Sequence, residues 1–303
     1  MSSLSALEIL LSSTLRMSPP IILASLAGLL SFRIGLLNIA LEGMLLIGAF
    51  VAVIVSYFTG SAYIGMLAAA LTGGTLAFLF ALFILKFKAD NIVVGTAVNM
   101  LALGLTTYLL KVMFGVRGAF SSPEIVGLPV VNIPALESVP LLKVFSGQSI
   151  LVYISLLLVF VTHHILYQTS IGLRIRASGQ QPMAIVTAGI NLSLLKYLTL
   201  IAGGVLCGLG GAHLSLGQLT MFTENMTNGR GFIAMAASIF GKNTPIGALI
   251  GSLMFSFADT LTIRLQSSGF PSFIIQMIPY ILTLITLSLV AYRLKQAKRY
   301  NQK

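Results

Sequence analysis

Two carboxylates in otherwise apolar stretches, Glu42 and Asp259, are the residues of this sequence best placed to do chemistry. Glu42 follows Asn38 by one helical turn, so both side chains would share one helix face and could line a hydrated cavity. A carboxylate in apolar surroundings can couple a proton or a cation to transport, and beside an amide it can bind a polar solute. These residue types therefore favour a pathway for a polar solute.

Each of these side chains also has a structural interpretation, and the sequence leaves both interpretations open. Glu42 can pair with Arg33 or cap the end of a broken helix. Asp259 can pair with Arg264, and Asn99 can hydrogen-bond to a neighbouring helix. The predicted substrate-pathway residues are Asn38, Glu42, Asn99 and Asp259.

Motifs for catalysis are missing from the sequence. Gly241-Lys242-Asn243 lacks the earlier Gly and the Ser or Thr of a phosphate-binding loop. There is no His-Glu-x-x-His, no Gly-x-Ser-x-Gly and no pair of aspartates for hydrolysis within a membrane. The single cysteine, Cys207, excludes an internal disulfide. We therefore predict no catalytic residues, no metal site and no cofactor bound by this chain, and a protein that is not an enzyme.

The composition shows what surrounds these residues. Among 303 residues, 18 are Lys or Arg and 7 are Asp or Glu, so 8% are charged, where a soluble protein has about 25%. With 57% apolar residues and a mean hydropathy of +0.99, the chain has too little polar surface for a water-soluble globule. The net charge of +11 does not indicate nucleic-acid binding, because the cations are spread between apolar runs. We predict an integral membrane protein in contact with lipid.

Long apolar runs predict the membrane segments, since one crossing needs about 20 residues. The runs are 36–58, 61–85, 92–115, 149–167, 197–216, 245–265 and 271–291. Two shorter stretches, 18–32 and 231–241, are candidates for half-helices, and 3–16 is expected to lie along the membrane surface. The predicted fold is an all-α polytopic transmembrane bundle, a single domain over 1–303, with about 8–10 membrane segments including short or broken helices.

The positions of Lys and Arg predict the orientation in the membrane. If the C-terminus is cytoplasmic and every stretch crosses, twelve cations fall inside and six fall outside, as the positive-inside rule requires. The long connection 117–148 is then extracytoplasmic, and the segment 168–196 is cytoplasmic. Five glycines between Gly203 and Gly211 predict a tightly packed central helix.

The cytoplasmic segment 168–196 has the features of a short surface helix. A turn at Ser178-Gly179 leads to Pro182, which suits the first position of a helix, and Gly189 suits its end. Small side chains at Ala184 and Ala188 leave room for another protein to approach. We predict that this element transmits a movement of a cytoplasmic partner to the membrane segments.

Three segments of the sequence together resemble one family. They are Gly-Leu-Leu-Asn-Ile-Ala-Leu-Glu-Gly-Met over 35–44, the stretch from Gly172 through Pro182 to Ile190, and a third stretch with Gly229-Arg230-Gly231 and Phe257-Ala258-Asp259. They resemble the permease subunits of bacterial ATP-binding-cassette (ABC) importers for branched-chain amino acids, simple sugars and nucleosides. The first segment is most similar to the nucleoside and simple-sugar branch.

The resemblance implies that the cytoplasmic segment is a coupling helix that docks on an ATPase subunit. The implied coupling residues are Arg174, Arg176, Gly179, Pro182, Ala184, Ala188 and Gly189. Other implied partners are a second related permease, or a second copy of this chain, and an extracytoplasmic substrate-binding protein or lipoprotein. ATP and magnesium would be bound by the ATPase, and the location would be the bacterial cytoplasmic membrane.

The predicted function is nucleoside uptake by alternating access, driven by a separate ATPase. A permease for simple sugars or branched-chain amino acids is the first alternative. A secondary transporter, in which Glu42 and Asp259 are the ion-coupling carboxylates, is another. An ion channel is disfavoured because the sequence has no repeated filter-like segment.

Overall fold

A computed structural model of the chain describes residues 3–134 and 142–266. In those residues, seven helices are long and apolar enough to cross a membrane. The predicted last crossing, 271–291, and the basic C-terminal tail lie outside the described residues. The predicted all-α bundle is confirmed, with two short pairs of strands added at one end.

The helices follow the predicted runs closely, except around residues 3–40. They are α1 Ser3–Arg33, α2 Leu41–Thr59, α3 Ala62–Leu85, α4 Asn91–Phe114, α5 Ile150–Gln168, α6 Ser170–Gln180, α7 Pro182–Thr187, α8 Leu192–Ala212, α9 Arg230–Phe240 and α10 Pro245–Gln266. A π-helix, His213–Leu219, continues α8, and a 3-10 turn covers Leu142–Phe145. The strands are β1 Ala119–Phe120, β2 Val130–Val131, β3 Gln148–Ser149 and β4 Phe222–Thr223.

The two ends of the bundle differ in what holds them together. At the end that we call inner, Arg33 donates from Nη2 to the carbonyl oxygen of Asn243 (2.6 Å) and to the hydroxyl of Tyr167 (3.0 Å). This residue therefore joins the ends of α1 and α5 to the turn between α9 and α10. At the outer end, β1 pairs with β4 and β2 pairs with β3, both antiparallel.

The first helix contradicts two predictions. The stretch 3–16 does not lie apart along the surface, and 18–32 is not a half-helix, because both belong to the single 31-residue helix α1. The Pro19-Pro20 pair, which suggested a helix start, lies inside α1. A proline inside a helix removes a backbone donor and leaves a carbonyl oxygen unpaired four residues earlier.

Side chains replace both missing donors in α1. Ser18 Oγ donates to the carbonyl oxygen of Leu15 (3.0 Å), which Pro19 leaves unpaired. The carbonyl oxygen of Arg16, which Pro20 leaves unpaired, accepts from His213 Nε2 (2.9 Å) and from Gln218 Nε2 (3.0 Å). The two prolines are thus tolerated in a membrane helix because neighbouring side chains donate hydrogen bonds to the carbonyl oxygens that the prolines leave unpaired.

The centre of the bundle is α1. In its most apolar 18-residue stretch 78% of residues are buried, against 28% in the corresponding stretch of α4. Ile21, Ile22 and Leu23 have no exposed surface. The glycine-rich helix α8 was predicted to be central and tightly packed. The prediction is confirmed for its second half, since Gly203, Gly204 and Cys207 are buried and the helix packs against α1, α2 and α3, whereas its first half is more exposed.

Close backbone contact explains the glycines of α8. A Cβ atom at Gly208 would lie 2.0 Å from the carbonyl oxygen of Ala69, and one at Gly204 would lie 2.4 Å from that of Gly73. Both neighbours belong to α3. Helices in a membrane associate through close packing of small residues, and here any side chain larger than hydrogen would separate α8 from α3.

Candidate functional site

The chain between α1 and α2 is unwound over residues 34–40, so the helix begins five residues after the start of the predicted run 36–58. Gly35 has φ +77°, a conformation that side chains with a Cβ rarely adopt. The amide N–H of Gly43, in the first turn of α2, donates to Asn99 Oδ1 (2.8 Å). Asn99 lies eight residues along α4, about 12 Å from its inner end. The first turn of α2 therefore lies well inside the membrane.

The short helix α9 reaches the same depth from the inner end. Its 11 residues span about 16 Å, roughly half of the hydrocarbon core. The predicted stretch 231–241 is thus confirmed as a half-length helix. Its N-terminus and the first turn of α2 meet near the middle of the membrane, and we call this contact the midplane junction.

Glu42 forms the midplane junction. Its Oε1 accepts from the N–H of Gly229 (2.8 Å) and its Oε2 accepts from the N–H of Gly231 (2.6 Å), while only 8% of the residue is exposed. A carboxylate at a helix N-terminus is stabilised by the unpaired amide groups and the helix dipole. Of the two structural alternatives, the structure therefore shows helix capping, whereas Arg33 makes its hydrogen bonds at the inner end of the bundle.

The two asparagines hold the backbone beside Glu42. Asn99 donates from Nδ2 to the carbonyl oxygen of Ile39 (3.0 Å) as well as accepting from Gly43. Asn38 accepts at Oδ1 from the N–H of Ala40 (3.0 Å) and is only 2% exposed. Its Nδ2 is buried without a hydrogen-bond partner in the part of the chain that the structure describes. The structure thus brings Asn38, Glu42 and Asn99 together.

Asp259, on α10, reaches the junction through Arg230. It is partly buried and interacts electrostatically with the guanidinium of Arg230, the first residue of α9. Arg230 also donates from Nη1 to the carbonyl oxygen of Met226 (3.1 Å). The sequence interpretation considered Arg264 for this carboxylate and did not consider Arg230. The triplet Gly229-Arg230-Gly231 serves two carboxylates, because its glycine amide groups bond Glu42 and its cation interacts with Asp259.

The predicted coupling segment lies at the inner end as the helices α6 and α7. Pro182 is the first residue of α7, and Gly189, with φ +73°, follows its end. Ile185 is buried, whereas Met183 is 74% exposed and Val186 is 53% exposed. Two large apolar side chains therefore project from a short helix at the end where a cytoplasmic partner is predicted.

The helix α6 is pressed against the end of α1. A Cβ atom at Gly179 would lie 2.3 Å from the carbonyl oxygen of Arg33 and 2.9 Å from the amide nitrogen of Gly35. The guanidinium of Arg176 lies 5.1 Å from the centre of the Tyr167 ring, and that of Arg33 lies 6.0 Å from it. The end of α6 therefore contacts the start of the unwound segment 34–40, which leads to Asn38 and then to Glu42.

Metal chemistry has no support in the described residues, since within 3–134 and 142–266 no three His, Cys, Asp or Glu side chains lie close enough together to hold an ion. The buried His213 instead uses both ring nitrogens in packing. Its Nδ1 lies 3.1 Å from the hydroxyl of Ser149, and its Nε2 bonds the Arg16 carbonyl oxygen.

Apolar crossings, a broken helix pair at the midplane and an exposed short helix at one end define the membrane subunit of a transporter. The chain belongs to the family described as branched-chain amino acid transport system, permease component, whose sequence profile matches residues 10–291. It is thus a multi-pass membrane protein and a permease subunit of an ABC importer.

The chain is similar along most of its length to curated permeases. It is 38% identical over 296 residues to the guanosine ABC transporter permease protein NupQ of Bacillus subtilis, covering 93% of this chain and 92% of that protein. It is 34% identical over 301 residues to the nucleoside ABC transporter permease protein NupC of Lactococcus lactis subsp. cremoris, covering 95% and 94%. The putative glucose ABC transporter permease protein TsgC13 of Haloferax volcanii is also 34% identical, over 263 residues, covering 85% of this chain and 78% of that protein.

One solved structure shares the fold. It is described as a metal-chelate type ABC transporter in an inward-facing conformation, and it matches with a TM-score of 0.50 and 16% identity, covering 93% of this chain and 84% of that one. At this identity the likeness concerns the arrangement of helices alone.

Proposed function

We propose that this permease takes up nucleosides by alternating access, powered by separate ATPase subunits. The supporting observation is the similarity to two permeases named for guanosine and nucleosides, at 38% and 34% identity over more than 90% of the chain. A permease named as a putative glucose transporter is also 34% identical, but over 85% of the chain. A simple-sugar or branched-chain amino acid permease is the alternative.

The coupling segment supplies the proposed route for energy. The exposed face of α7 with Met183 and Val186 docks on an ATPase subunit, which binds ATP and magnesium. Nucleotide-driven movement of α7 shifts α6, and the contact of Gly179 with Arg33 and Gly35 carries the shift to the midplane junction. The remaining proposed partners are a second permease, related or identical, and an extracytoplasmic substrate-binding protein. The proposed location is the bacterial cytoplasmic membrane, with the C-terminus in the cytoplasm.

Within this mechanism, the midplane junction acts as part of the gate. Glu42 and Asn99 use their polar atoms on the backbone of α9 and of the segment before α2. They therefore position the two broken helices relative to each other. Direct contact of Asn38, Glu42, Asn99 or Asp259 with the transported solute stays a prediction.

Uptake by the assembled importer tests the proposed function. Cells expressing this permease with its ATPase, its partner permease and its binding protein are expected to accumulate labelled guanosine. Unlabelled nucleosides should compete and glucose should not. Vanadate should stop uptake, whereas dissipating the ion gradient at constant ATP should leave it intact. Uptake that follows the gradient would support an ion-coupled transporter instead, and competition by glucose alone would contradict the substrate class.

Introducing a single charge tests whether the exposed face of α7 is the docking surface for the ATPase. Val186→Glu places a carboxylate on the exposed apolar face of α7 and should reduce co-purification of the ATPase subunit about tenfold or more, as expected for a disrupted apolar contact. Leu219→Glu is the matched control, because Leu219 is also exposed (49%) but lies at the outer end. Unchanged ATPase recovery with Val186→Glu would mean that α7 is not the docking surface.

A further inference from the structure

The span α4 is the least enclosed of the seven candidate membrane spans in the described chain, with 28% of its most apolar stretch buried. Its exposed surface is not uniform. Leu105 is an exposed apolar residue of the kind that lipid accepts. Gly104, Thr107 and Lys111 follow one another at helical spacing, with Tyr108 one turn after Gly104. They form a second face of α4, which combines an open position, a hydroxyl, an aromatic ring and a cation.

A groove of about 560 Å³ runs along that second face. Met100 and Leu103 line its inner part, and Thr107, Tyr108 and Lys111 line its outer part, with Gly104 between them. Arg117 and Glu224 from the outer loops bound it. A Cβ atom at Gly104 would meet nothing within 4 Å. The groove is therefore open at its middle rather than filled by the packing of this chain.

The Glu224 carboxylate at the edge of the groove is held in place beside the strand pair β1–β4. The N–H of Gly118 donates to Glu224 Oε1 (3.0 Å), and the N–H of Glu224 donates to the carbonyl oxygen of Gly118 (2.8 Å). A carboxylate has lone pairs for several donors. Glu224 can thus keep this contact and accept further hydrogen bonds.

The outer part of the groove is polar. Tyr108 lies six residues below the outer end of α4, about 9 Å along the helix, and Thr107 and Lys111 lie beside it. Polar and ionisable side chains at such depth face a bundle interior or a hydrated cavity. Because this side of α4 is open in the single chain, it fits the hydrated pathway that the permease forms with its partner permease.

We propose that the α4 groove is a nucleoside-binding subsite at the outer mouth of the pathway; this rests on the proposed function. The base stacks on the Tyr108 ring, which is 63% exposed, since every base offers a face to an aromatic side chain. Ribose hydroxyls donate to Glu224. Lys111 and Arg117 donate to base acceptors, as cationic side chains do to O6 and N7 of guanine. The groove volume lies within the range of small-molecule sites.

Cysteine labelling tests the groove directly. Cys207 is the only cysteine of the chain and is completely buried, so an introduced cysteine is the reactive one in this subunit. Thr107→Cys in the assembled importer, in membranes, is treated with a maleimide. At guanosine concentrations about ten times the dissociation constant, labelling should be about tenfold slower. Leu105→Cys, two residues from Thr107 and therefore on another side of α4, should react at the same rate with and without guanosine.

Two further substitutions, each added to Thr107→Cys, test the assigned contacts. Tyr108→Leu should raise the guanosine concentration that halves the labelling rate about tenfold. Tyr108→Phe should leave that concentration near the parental value, because the ring supplies the stacking surface. Glu224→Gln keeps an oxygen for the Gly118 N–H. It should remove most of the preference for guanosine over its 2′,3′-dideoxy analogue.

The outcomes separate the two proposals. Nucleoside uptake by an importer whose Thr107→Cys reacts equally fast with and without guanosine would overturn the groove assignment and leave the proposed function intact. Protection by glucose, with glucose uptake and none of guanosine, would contradict the proposed function and the nucleoside subsite together. Protection by guanosine that neither Tyr108→Leu nor Glu224→Gln weakens would also overturn the assignment of this groove.

Discussion

Glu42→Gln is expected to lower the free energy of unfolding by about 2–3 kcal/mol. The carboxylate accepts from two buried amide groups, those of Gly229 and Gly231. A glutamine side chain has one oxygen, so it leaves one amide group facing its NH2 group, and it removes the charge that the helix dipole favours. Thermal denaturation of the purified importer in detergent measures the loss. Because α9 is no longer held against α2, guanosine uptake should also fall about tenfold or more.

Asp90→Asn is the matched control for Glu42→Gln. Asp90 also caps a helix, since its Oδ1 accepts from the N–H groups of Ile92 (2.9 Å) and Val93 (3.1 Å) at the start of α4. It is exposed, and asparagine keeps the oxygen that makes both bonds. The change should cost about 0.5 kcal/mol or less. If both variants were as stable and active as the parent, Glu42 would not be what holds the midplane junction.

Gly179→Ala is expected to separate ATP hydrolysis from uptake. The new Cβ atom would lie 2.3 Å from the carbonyl oxygen of Arg33, which belongs to the backbone and cannot turn aside. The helix α6 must therefore shift away from α1, and such overpacking costs about 1–3 kcal/mol. The face of α7 is unchanged, so the ATPase should still bind and hydrolyse ATP, while guanosine uptake should fall about tenfold or more. Uptake and ATPase rates in the same proteoliposomes give the ratio of solute moved to ATP consumed.

Gln180→Ala provides the comparison for Gly179→Ala, since it lies next in α6 and is exposed. It should leave the ratio of transport to hydrolysis unchanged. A Gly179→Ala importer with the parental ratio would show that the contact between α6 and α1 does not carry the movement. Loss of ATPase binding in this variant would point instead to a changed docking surface.

The lengths of the apolar runs predicted most of the fold, because the ability of a segment to cross a membrane depends mainly on its own residues. The helices α3, α4, α5 and α10 begin and end within two residues of the predicted runs. The failure at α1 was also local in origin, because Pro19-Pro20 is normally a sign that a helix starts. The carbonyl oxygen that Pro20 leaves unpaired is satisfied by His213 and Gln218, which are 197 and 202 residues away from it, and no local pattern reveals them.

The sequence predicted which residues form the candidate site, but it did not predict which groups they contact. A buried carboxylate needs compensation, and the sequence correctly offered helix capping as one form of it for Glu42. The capping amides are 187 and 189 residues away, so their identity depends on how the helices pack. The glycine at 231 is needed there because a Cβ atom would lie 2.5 Å from the Glu42 nitrogen. Such a requirement becomes visible only once the two segments are side by side.

The position of α1 at the centre of the bundle sets an order of assembly. It is synthesised before α10, yet Ser25 on α1 hydrogen-bonds to Ser252 on α10 (3.0 Å), 227 residues later. At about 5–20 residues per second, translation delivers that partner roughly 10–45 s after α1. The surface of α1 that α10 covers must therefore contact lipid or an insertion factor during that interval.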